Sequence, residues 1–295
     1  MNAAFKIGIL VVSLYLPMCG LTQSIVEVQK EKASNASTHS NLIAILGAFP
    51  EEVKYLLSQV TDKRETIIQR TSFTTGNLRG APVVVALTGI GKVNAATTTM
   101  LMIGQFNPRV VLFTGIAGGI NPQLMPGDIV IGTKVGYHDY GTLTPSGIQR
   151  GPTRDPVTHG ENPLYFSCDS SWISLAIRSS QQTALQKVVT DNGSRTPAIR
   201  TGVIVTGDVF VASDPATREL RQNMNAEATE MEGAAVGQVS YQQRVPFLII
   251  RSMSDNAGSN ASHDVKAFYS VAARNSAELV MSIVGLSQTE SKKVK

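Results

Sequence analysis

Residues 42–57 read LIAILGAFPEEVKYLL, a short apolar run that stops at Gly47 and gives way to apolar residues at helical spacing. The run predicts a buried strand, and Val53 and Leu56 predict the inner face of a helix. Pro50 suits the first helical turn, where its missing N–H loses no hydrogen bond. The stretch therefore predicts a strand, a tight turn and a helix in direct succession.

The same alternation returns along the rest of the chain. Strands are expected at 83–87, 110–113, 202–205 and 247–251, and helices at 93–106, at 215–223, from about 231, and at 265–284. Nearly continuous apolar strands require helices on both faces of a sheet. We therefore expect a single-domain three-layer α/β/α sandwich with a mixed, largely parallel twisted sheet. The aperiodic stretch 141–163 is expected as a long surface loop, and 191–196 as a shorter connection.

Composition narrows the class of protein. The chain has 295 residues, of which 42% are hydrophobic and 16% charged, as in folded globular domains. The net charge is +4, but no basic groove interleaved with aromatic residues is visible, so nucleic acid is not an expected partner. Cys19, Cys168 and four scattered histidines offer neither a disulfide framework nor zinc-ligand spacing. We expect no metal and no organic cofactor.

The N-terminus reads as a separate segment. Lys6 precedes about ten apolar residues, 7–16, too few for a permanent membrane span and typical of a secretory signal peptide. We expect a signal peptide at 1–23, a polar linker at 24–40, the folded domain at 41–286 and a basic tail at 287–295. The predicted location is periplasmic or secreted, or cytoplasmic if the leader is not functional. A buried first strand or helix is the alternative for this run.

Acidic residues lie at the start of a predicted helix and at the end of a predicted strand. Glu230 and Glu232 precede a predicted helix, and Asp255 follows the apolar run at 247–251. Two acids delivered by different elements can meet in one pocket with unequal pKa values, as acid–base catalysis requires. The alternative for the glutamates is stabilisation of a helix N-terminus.

Glycine-rich segments follow other strands, and the carboxyl ends of strands are where ligands collect in α/β folds. They lie at 89–91, 115–119 and 207–210, and their backbone can approach a ligand closely. None has the spacing of a dinucleotide-binding fingerprint or of a phosphate-binding loop.

Seven motifs occur in a recognisable order. They are GAFPEEV at 47–53, GIGKV at 89–93, TGIAGG at 114–119, GDIV at 127–130, GDVF at 207–210, EME at 230–232 and SD at 254–255. Together they resemble the nucleoside phosphorylase superfamily, and within it the 5′-methylthioadenosine/S-adenosylhomocysteine nucleosidases. The resemblance spans roughly 42–286. It implies hydrolysis of the N-glycosidic bond of such purine nucleosides, with release of adenine, in methionine salvage.

The resemblance also implies roles for individual residues. Asp255 would protonate N7 of adenine, with Ser254 orienting its carboxyl group. Glu52 would position and activate the attacking water, and Glu232 would grip the ribose hydroxyls. The remaining substrate-binding residues would be Met231 along the ribose, Phe210 stacked on adenine, Val211 bonding its edge through the main chain, Ala117 and Gly118 in the glycine-rich segment, and Phe49, Ile90 and Phe268 around the sugar and alkylthio end.

Other readings of these residues stay open. Phe210 and Met231 are residue types that usually belong to a hydrophobic core. His138 and Asp139 are expected to be polar residues at the surface rather than a catalytic pair. Arg251 could bind an anion or pair with a neighbouring acid.

Two other functions are compatible with the motifs. A phosphate-dependent purine nucleoside phosphorylase is one, but 47–52 and 115–119 contain no arginine, which favours water as the nucleophile. A non-catalytic nucleoside-binding protein is the other, and the presence of both Glu52 and Asp255 argues against it. By resemblance we also expect a homodimer, in which the partner's copy of the region at 141–163 completes the alkylthio pocket.

Overall fold

A computed structural model describes residues 40–190 and 193–293 of the chain. The signal peptide predicted at 1–23 and the linker up to residue 39 lie outside the described residues, as do 191–192 and 294–295. Within the described part, none of the helices has the length and apolar character needed to cross a membrane.

Strands and helices alternate along most of the described chain. The strands are β1 (Ser40–Gly47), β2 (Thr61–Ile68), β3 (Thr71–Leu78), β4 (Ala81–Leu87), β5 (Pro108–Gly119), β6 (Ile129–Tyr137), β7 (Gly141–Thr144), β8 (Gly147–Arg150), β9 (Phe166–Ser167), β10 (Val188–Thr190), β11 (Gly193–Arg195), β12 (Ile199–Thr206), β13 (Ala226–Glu230) and β14 (Phe247–Asp255). The helices are α1 (Pro50–Gln59), α2 (Lys92–Phe106), α3 (Ser170–Ser180), α4 (Asp214–Met224), α5 (Gly233–Gln242) and α6 (Ala261–Lys293).

One large mixed sheet organises the molecule, in the order β13-β12-β6-β14-β5-β1-β4-β3-β2. Strands β4, β1, β5 and β14 run parallel, as do β6, β12 and β13, and the two groups meet antiparallel at β14–β6. Strand β13 also pairs with β5, through Thr229 opposite Gly118, so that five strands close into a ring. The expected α/β class with a mixed sheet is confirmed, and the ring is a closure that the sequence did not indicate.

The core explains why the strands are continuous apolar runs. Residues 43–46 of β1 and 110–113 of β5 are fully buried, as are 248–250 of β14. Helix α6 packs against β14, β5 and α1, and α2 packs against α5. Burial of each large aliphatic side chain in these runs stabilises the fold by about 1.5–3 kcal/mol.

Several sequence expectations need correction. The stretch 141–163 is not simply a loop, because β7 and β8 form a hairpin in it and Arg154 bridges to Glu161. Strands β10 and β11 pair on either side of 191–192. Helix α6 begins at Ala261, earlier than expected, and continues to Lys293 through most of the predicted tail.

Two strands run further than their apolar residues suggested. Strand β5 continues through the glycines to Gly119, and β14 continues through Ser254 to Asp255. The candidate acid and the glycine-rich segment therefore lie within paired strands and not in loops beyond them. Regular backbone pairing fixes their positions more tightly than a loop would.

Candidate active site

A cavity of about 330 Å³ lies at the edge of the ring where β5, β13 and β14 end. Its walls come from sequence-distant segments and hold every predicted site residue except Phe268. Those residues are Phe49, Glu52, Ile90, Ala117, Gly118, Phe210, Val211, Met231, Glu232, Ser254 and Asp255, joined by Ala48, Ile116, Val209, Thr229, Glu230, Val265 and Tyr269. The fold thus brings together residues from six of the seven motifs.

The expectation for Phe268 is wrong. Helix α6 turns Val265 and Tyr269 toward the cavity instead. These two residues are four apart and share one face of the helix, whereas Phe268 is rotated about 100° away from Tyr269. The phase of α6 could not be read from its apolar pattern, so the sequence did not indicate that Tyr269, and not Phe268, borders the cavity.

Glu52 is the third residue of α1, and its carboxylate turns back over the helix N-terminus. It accepts N–H hydrogen bonds from Ala48 and Phe49, and from Ile116 of β5 at 2.9 Å. Only 2% of the residue is exposed. Burial raises the pKa of Glu52, against the opposing effects of Arg251 and the three N–H groups. A carboxylate with a raised pKa is a stronger base near neutral pH, which suits the activation of water.

Close packing around Glu52 accounts for a glycine in β5. A Cβ at Gly115 would collide with the Glu52 carboxylate and would lie 2.7 Å from Nη1 of Arg251. Any larger residue would displace the carboxylate or the guanidinium. The lack of a side chain at Gly115 therefore allows Glu52 and Arg251 to pack closely against β5. The sequence had instead suggested a loop whose backbone approaches a ligand.

Asp255 is held at the end of β14 by two hydrogen bonds. Its Oδ1 accepts the N–H of Ala257 at 2.7 Å, and its Oδ2 lies 2.7 Å from the hydroxyl of Ser254. Burial raises the pKa of Asp255, and the bonds from Ser254 and Ala257 oppose the rise. Ser254 therefore orients the carboxyl group, while burial helps it to retain a proton. A Cβ at Gly118 would lie 2.9 Å from Oδ1, so this glycine keeps the carboxyl accessible.

Glu232 and Glu230 surround Arg251, the largest fully buried side chain. Glu230 pairs with Arg251 at 2.7 Å, and Glu232 lies 3.8 Å from the same guanidinium nitrogen. The Arg251 guanidinium also stacks 4.0 Å from the ring of Phe113. Of the two sequence interpretations of Arg251, pairing with a neighbouring acid is therefore correct.

Stabilisation of a helix N-terminus, the alternative given for Glu230, is only part of its role. Its carboxylate does accept N–H bonds from Glu232 and Gly233 at the start of α5. It also accepts the hydroxyl of Thr206 and forms the buried ion pair with Arg251. Glu230 thus fixes the segment that carries Glu232 into the cavity.

Residues 42–285 match the family model of the phosphorylase superfamily. The chain belongs to this superfamily. The match covers all of the segments that line the cavity, and it confirms the family membership that the seven motifs indicated.

Individual members of the phosphorylase superfamily are similar over most of the chain. The 5′-methylthioadenosine/S-adenosylhomocysteine nucleosidase of Geobacillus sp. (strain WCH70) is 38% identical over 244 residues, 82% of this chain and 97% of that protein. The structure of the Neisseria meningitidis enzyme of the same name, in complex with methylthio-immucillin-A, is 35% identical with a TM-score of 0.72 and covers 83% of this chain and 99% of that one. Futalosine hydrolase of Helicobacter pylori is 30% identical with a TM-score of 0.71, over 83% and 97% of the two chains.

Hydrogen bonds also join two of the phosphorylase-superfamily motifs, at 89–93 and 207–210, to each other and to Asp139. Lys92 bonds both oxygens of Asp139, and Asp139 accepts the N–H of Asp208 at 2.7 Å. Asp208 in turn accepts the N–H of Lys92 at 2.8 Å. His138 and Asp139 were expected to be polar residues at the surface, and this is wrong. His138 is buried, and Asp139 joins the loops that carry Ile90 and Phe210. Nothing in the sequence indicated which lysine would pair with Asp139.

Charge in the cavity has one sign. Its described lining includes Glu52, Glu230, Glu232 and Asp255 but no arginine, lysine or histidine. In the part of the chain that the structure describes, no group of three His, Cys, Asp or Glu side chains could hold a metal ion.

Crowding of acids changes the titration of Glu232. Burial, with the negative charge of Glu230, raises its pKa to about 8 against the opposing effects of Arg251 and the Gly91 N–H. The folded-state pKa exceeds the unfolded value of 4.5, so this carboxyl group favours folding fully below about pH 4.5. That contribution is lost as the pH rises toward 8.

We expect Glu232→Gln to reduce this loss. Between about pH 5 and pH 8 the free energy of unfolding should fall by about 2–4 kcal/mol less in the variant than in the unmodified protein, because glutamine has no proton to release. Urea titrations across this pH range measure the difference. The exposed Glu65→Gln is the control and should follow the unmodified protein. Parallel curves for Glu232→Gln and the unmodified protein would contradict the assigned pKa.

Proposed function

We propose that this chain is a nucleosidase that hydrolyses the N-glycosidic bond of 5′-methylthioadenosine and S-adenosylhomocysteine and releases adenine. The observation that carries the proposal is the cavity itself, where Asp255 and Glu52 enter from different elements as buried carboxyls of raised pKa. Similarity to nucleosidases over 97% of a relative's length supports the same activity.

Asp255 acts as the general acid. Its proton passes to N7 of adenine while the electron pair of the C1′–N9 bond moves into the purine ring. Neutral adenine is then the leaving group, and positive charge develops on the ribose ring. Ser254 holds the carboxyl in place by its hydrogen bond to Oδ2. Proton transfer by a positioned group of this kind contributes about 10²–10⁴ in rate.

Glu52 acts on the water that attacks C1′. The water gives one proton to the carboxylate, and its oxygen forms the new bond to C1′, so that adenine and the free thioribose are the products. Backbone N–H groups from Ala48, Phe49 and Ile116 hold the carboxylate in one orientation. Orientation of this kind lowers the entropic part of the barrier.

Glu232 binds the ribose hydroxyls. A hydroxyl that donates to the carboxylate favours its charged form, so substrate binding lowers the raised pKa and releases a proton. The resulting anion stabilises the positive charge of the sugar. Phe210, which is 48% exposed, stacks on the adenine ring at the mouth of the cavity.

Water is favoured over phosphate because the cavity holds four carboxyl groups and its described lining contributes no cation. Arg251 does not line the cavity, since it is 1% exposed and already pairs with Glu230. A phosphate dianion would therefore meet repulsion with no compensating contact.

Release of the free purine base from a panel of nucleosides in phosphate-free buffer tests the proposal. The panel contains 5′-methylthioadenosine, S-adenosylhomocysteine, futalosine and adenosine. We expect turnover of the two thioadenosines. Calorimetric binding without release of adenine would instead indicate a nucleoside-binding protein, and release from futalosine alone would assign a different substrate.

We also propose that the chain forms a homodimer through the surface next to the cavity mouth. Ile90 lines the cavity yet is 54% exposed, and Val93 and Met100, seven residues apart on α2, are 75% and 45% exposed. The hairpin β7–β8 carries a second exposed apolar pair, Leu143 opposite Ile148. Apolar groups grouped in this way are typical of surfaces that a partner covers.

The change Val93→Glu with Met100→Glu tests this surface. We expect the double variant to sediment as a monomer and to show a KM for 5′-methylthioadenosine raised severalfold, because a partner no longer closes the mouth. Analytical ultracentrifugation at micromolar concentration gives the mass. The exposed Ile67→Glu, on the edge strand β2, is the control and should leave the dimer intact. A monomeric unmodified protein would refute the proposal.

Export of the chain follows from the predicted leader. We propose that residues 1–23 are removed and that the enzyme acts in the periplasm or outside the cell. Mass spectrometry of the protein recovered from cell fractions gives the mature N-terminus. An intact Met1 in the cytoplasmic fraction would refute export.

A further inference from the structure

A second cavity, of about 430 Å³, opens on the surface between α1 and α6. Glu51, Lys54 and Tyr55 of α1 and Tyr269 and Arg274 of α6 contribute to its wall, and we call it the α1–α6 groove. Tyr269 lines the active-site cavity as well. This side chain thus borders both spaces.

The groove adjoins the part of the active site that is left for the 5′ substituent. Asp255 with Phe210 accounts for the adenine, and Glu232 accounts for the ribose. The remaining wall is apolar and includes Val265 and Tyr269, both from α6. A substituent that extends from the 5′ carbon along this wall arrives at Tyr269.

Two opposite charges of the groove are unpaired. Glu51 and Lys54 lie one turn apart on α1, and both are exposed. Within residues 40–190 and 193–293, neither side chain forms an ion pair or a hydrogen bond. The charge of Arg274 is partly balanced by Glu278, 3.6 Å away.

We propose that the α1–α6 groove is a subsite for the α-amino acid group of a 5′-homocysteinyl substituent. The carboxylate of that group pairs with Lys54 and its ammonium with Glu51, while Tyr269 marks the point where a methylthio group ends. The proposal rests on the proposed function. It extends that function, because it assigns the preference between two substrates to residues outside the active-site cavity.

The energy available from such exposed pairs is modest and dependent on salt. An exposed ion pair alters affinity by up to about fivefold, and added salt screens it. The subsite should therefore adjust the ratio of kcat/KM values for S-adenosylhomocysteine and 5′-methylthioadenosine, mainly through KM. A group that binds the ground state and the transition state equally changes KM and leaves kcat unaltered.

Lys54→Glu tests the subsite most strongly, because it replaces attraction of the carboxylate by repulsion. We expect the ratio of kcat/KM for S-adenosylhomocysteine to that for 5′-methylthioadenosine to fall about tenfold at low salt, and less than threefold at about 0.5 M salt. Lys54→Met should give a smaller fall in the same direction. The exposed Lys187→Met, outside the groove, is the control and should keep the ratio of the unmodified protein.

Failure of the subsite and failure of the proposed function are distinguishable. A ratio that Lys54→Glu leaves within twofold of the unmodified value overturns the subsite while both substrates are still hydrolysed. If the unmodified protein hydrolyses neither substrate, the proposed function fails. Calorimetry then decides the subsite, since Lys54→Glu should weaken binding of S-adenosylhomocysteine about tenfold relative to 5′-methylthioadenosine, and equal affinities would overturn it.

Discussion

Asp255→Asn should lower kcat for adenine release from 5′-methylthioadenosine by about 10³–10⁴, which corresponds to about 4–5.5 kcal/mol. Asparagine can keep the bond from Ala257 but has no proton to transfer to N7, so adenine would have to leave as an anion. Burial raises the pKa of Asp255, which favours its protonated form. Steady-state assays at neutral pH give the rate.

A matched control separates this effect from loss of structure. Asp169 also accepts backbone N–H bonds, from Ser171 and Trp172, but it precedes α3 outside the cavity lining, and Asp169→Asn should retain full activity. Thermal unfolding of Asp255→Asn should be cooperative and near that of the unmodified protein. Adenine release within tenfold of normal from Asp255→Asn would refute the assigned acid.

Arg251→Met should lower the free energy of unfolding by about 3–5 kcal/mol near neutral pH. The substitution removes the cation that pairs with Glu230 and lies beside Glu232, so that these buried acids lose their compensating charge. Urea unfolding near neutral pH measures the loss.

Two comparisons identify the charge as the cause. Arg251→Met combined with Glu230→Gln should recover part of the stability, since one uncompensated charge is gone. Arg178→Met removes an exposed pair with Glu290 and should change stability by less than about 1 kcal/mol. A loss below about 1 kcal/mol for Arg251→Met alone would show that the pair does not hold the acids together.

Parts of the fold were predictable where burial leaves a clear pattern. The apolar runs that became β1, β4 and β14 were read correctly because both faces of each strand are covered. Strand β2 was missed, since its sequence TDKRETII is almost entirely exposed and lacks apolar alternation. Strand β6 was missed as well, because Gly132 and Gly136 interrupt its apolar residues. A Cβ at Gly132 would lie 3.0 Å from the carbonyl oxygen of Ile249, so close strand contact requires the glycine.

The site was predictable to the extent that its residues lie in local motifs. Glu52, Glu232 and Asp255 were each found from a short sequence pattern, and the fold brings them to one cavity. Choices among distant partners were not predictable: the pairing of Arg251 with Glu230, and of Lys92 with Asp139, depends on how the chain crosses in the sheet. The choice of Tyr269 over Phe268 depends on the phase of α6, which a single sequence does not fix.

The proposed reaction requires that water, and not phosphate, is the nucleophile that attacks C1′ of the ribose. Incubation of the protein with 5′-methylthioadenosine at saturating inorganic phosphate, followed by mass spectrometry and ³¹P NMR of the sugar product, tests it directly. We predict free 5-methylthioribose, at a rate equal to that in phosphate-free buffer. Formation of 5-methylthioribose 1-phosphate, with no adenine release when phosphate is removed, would contradict the account.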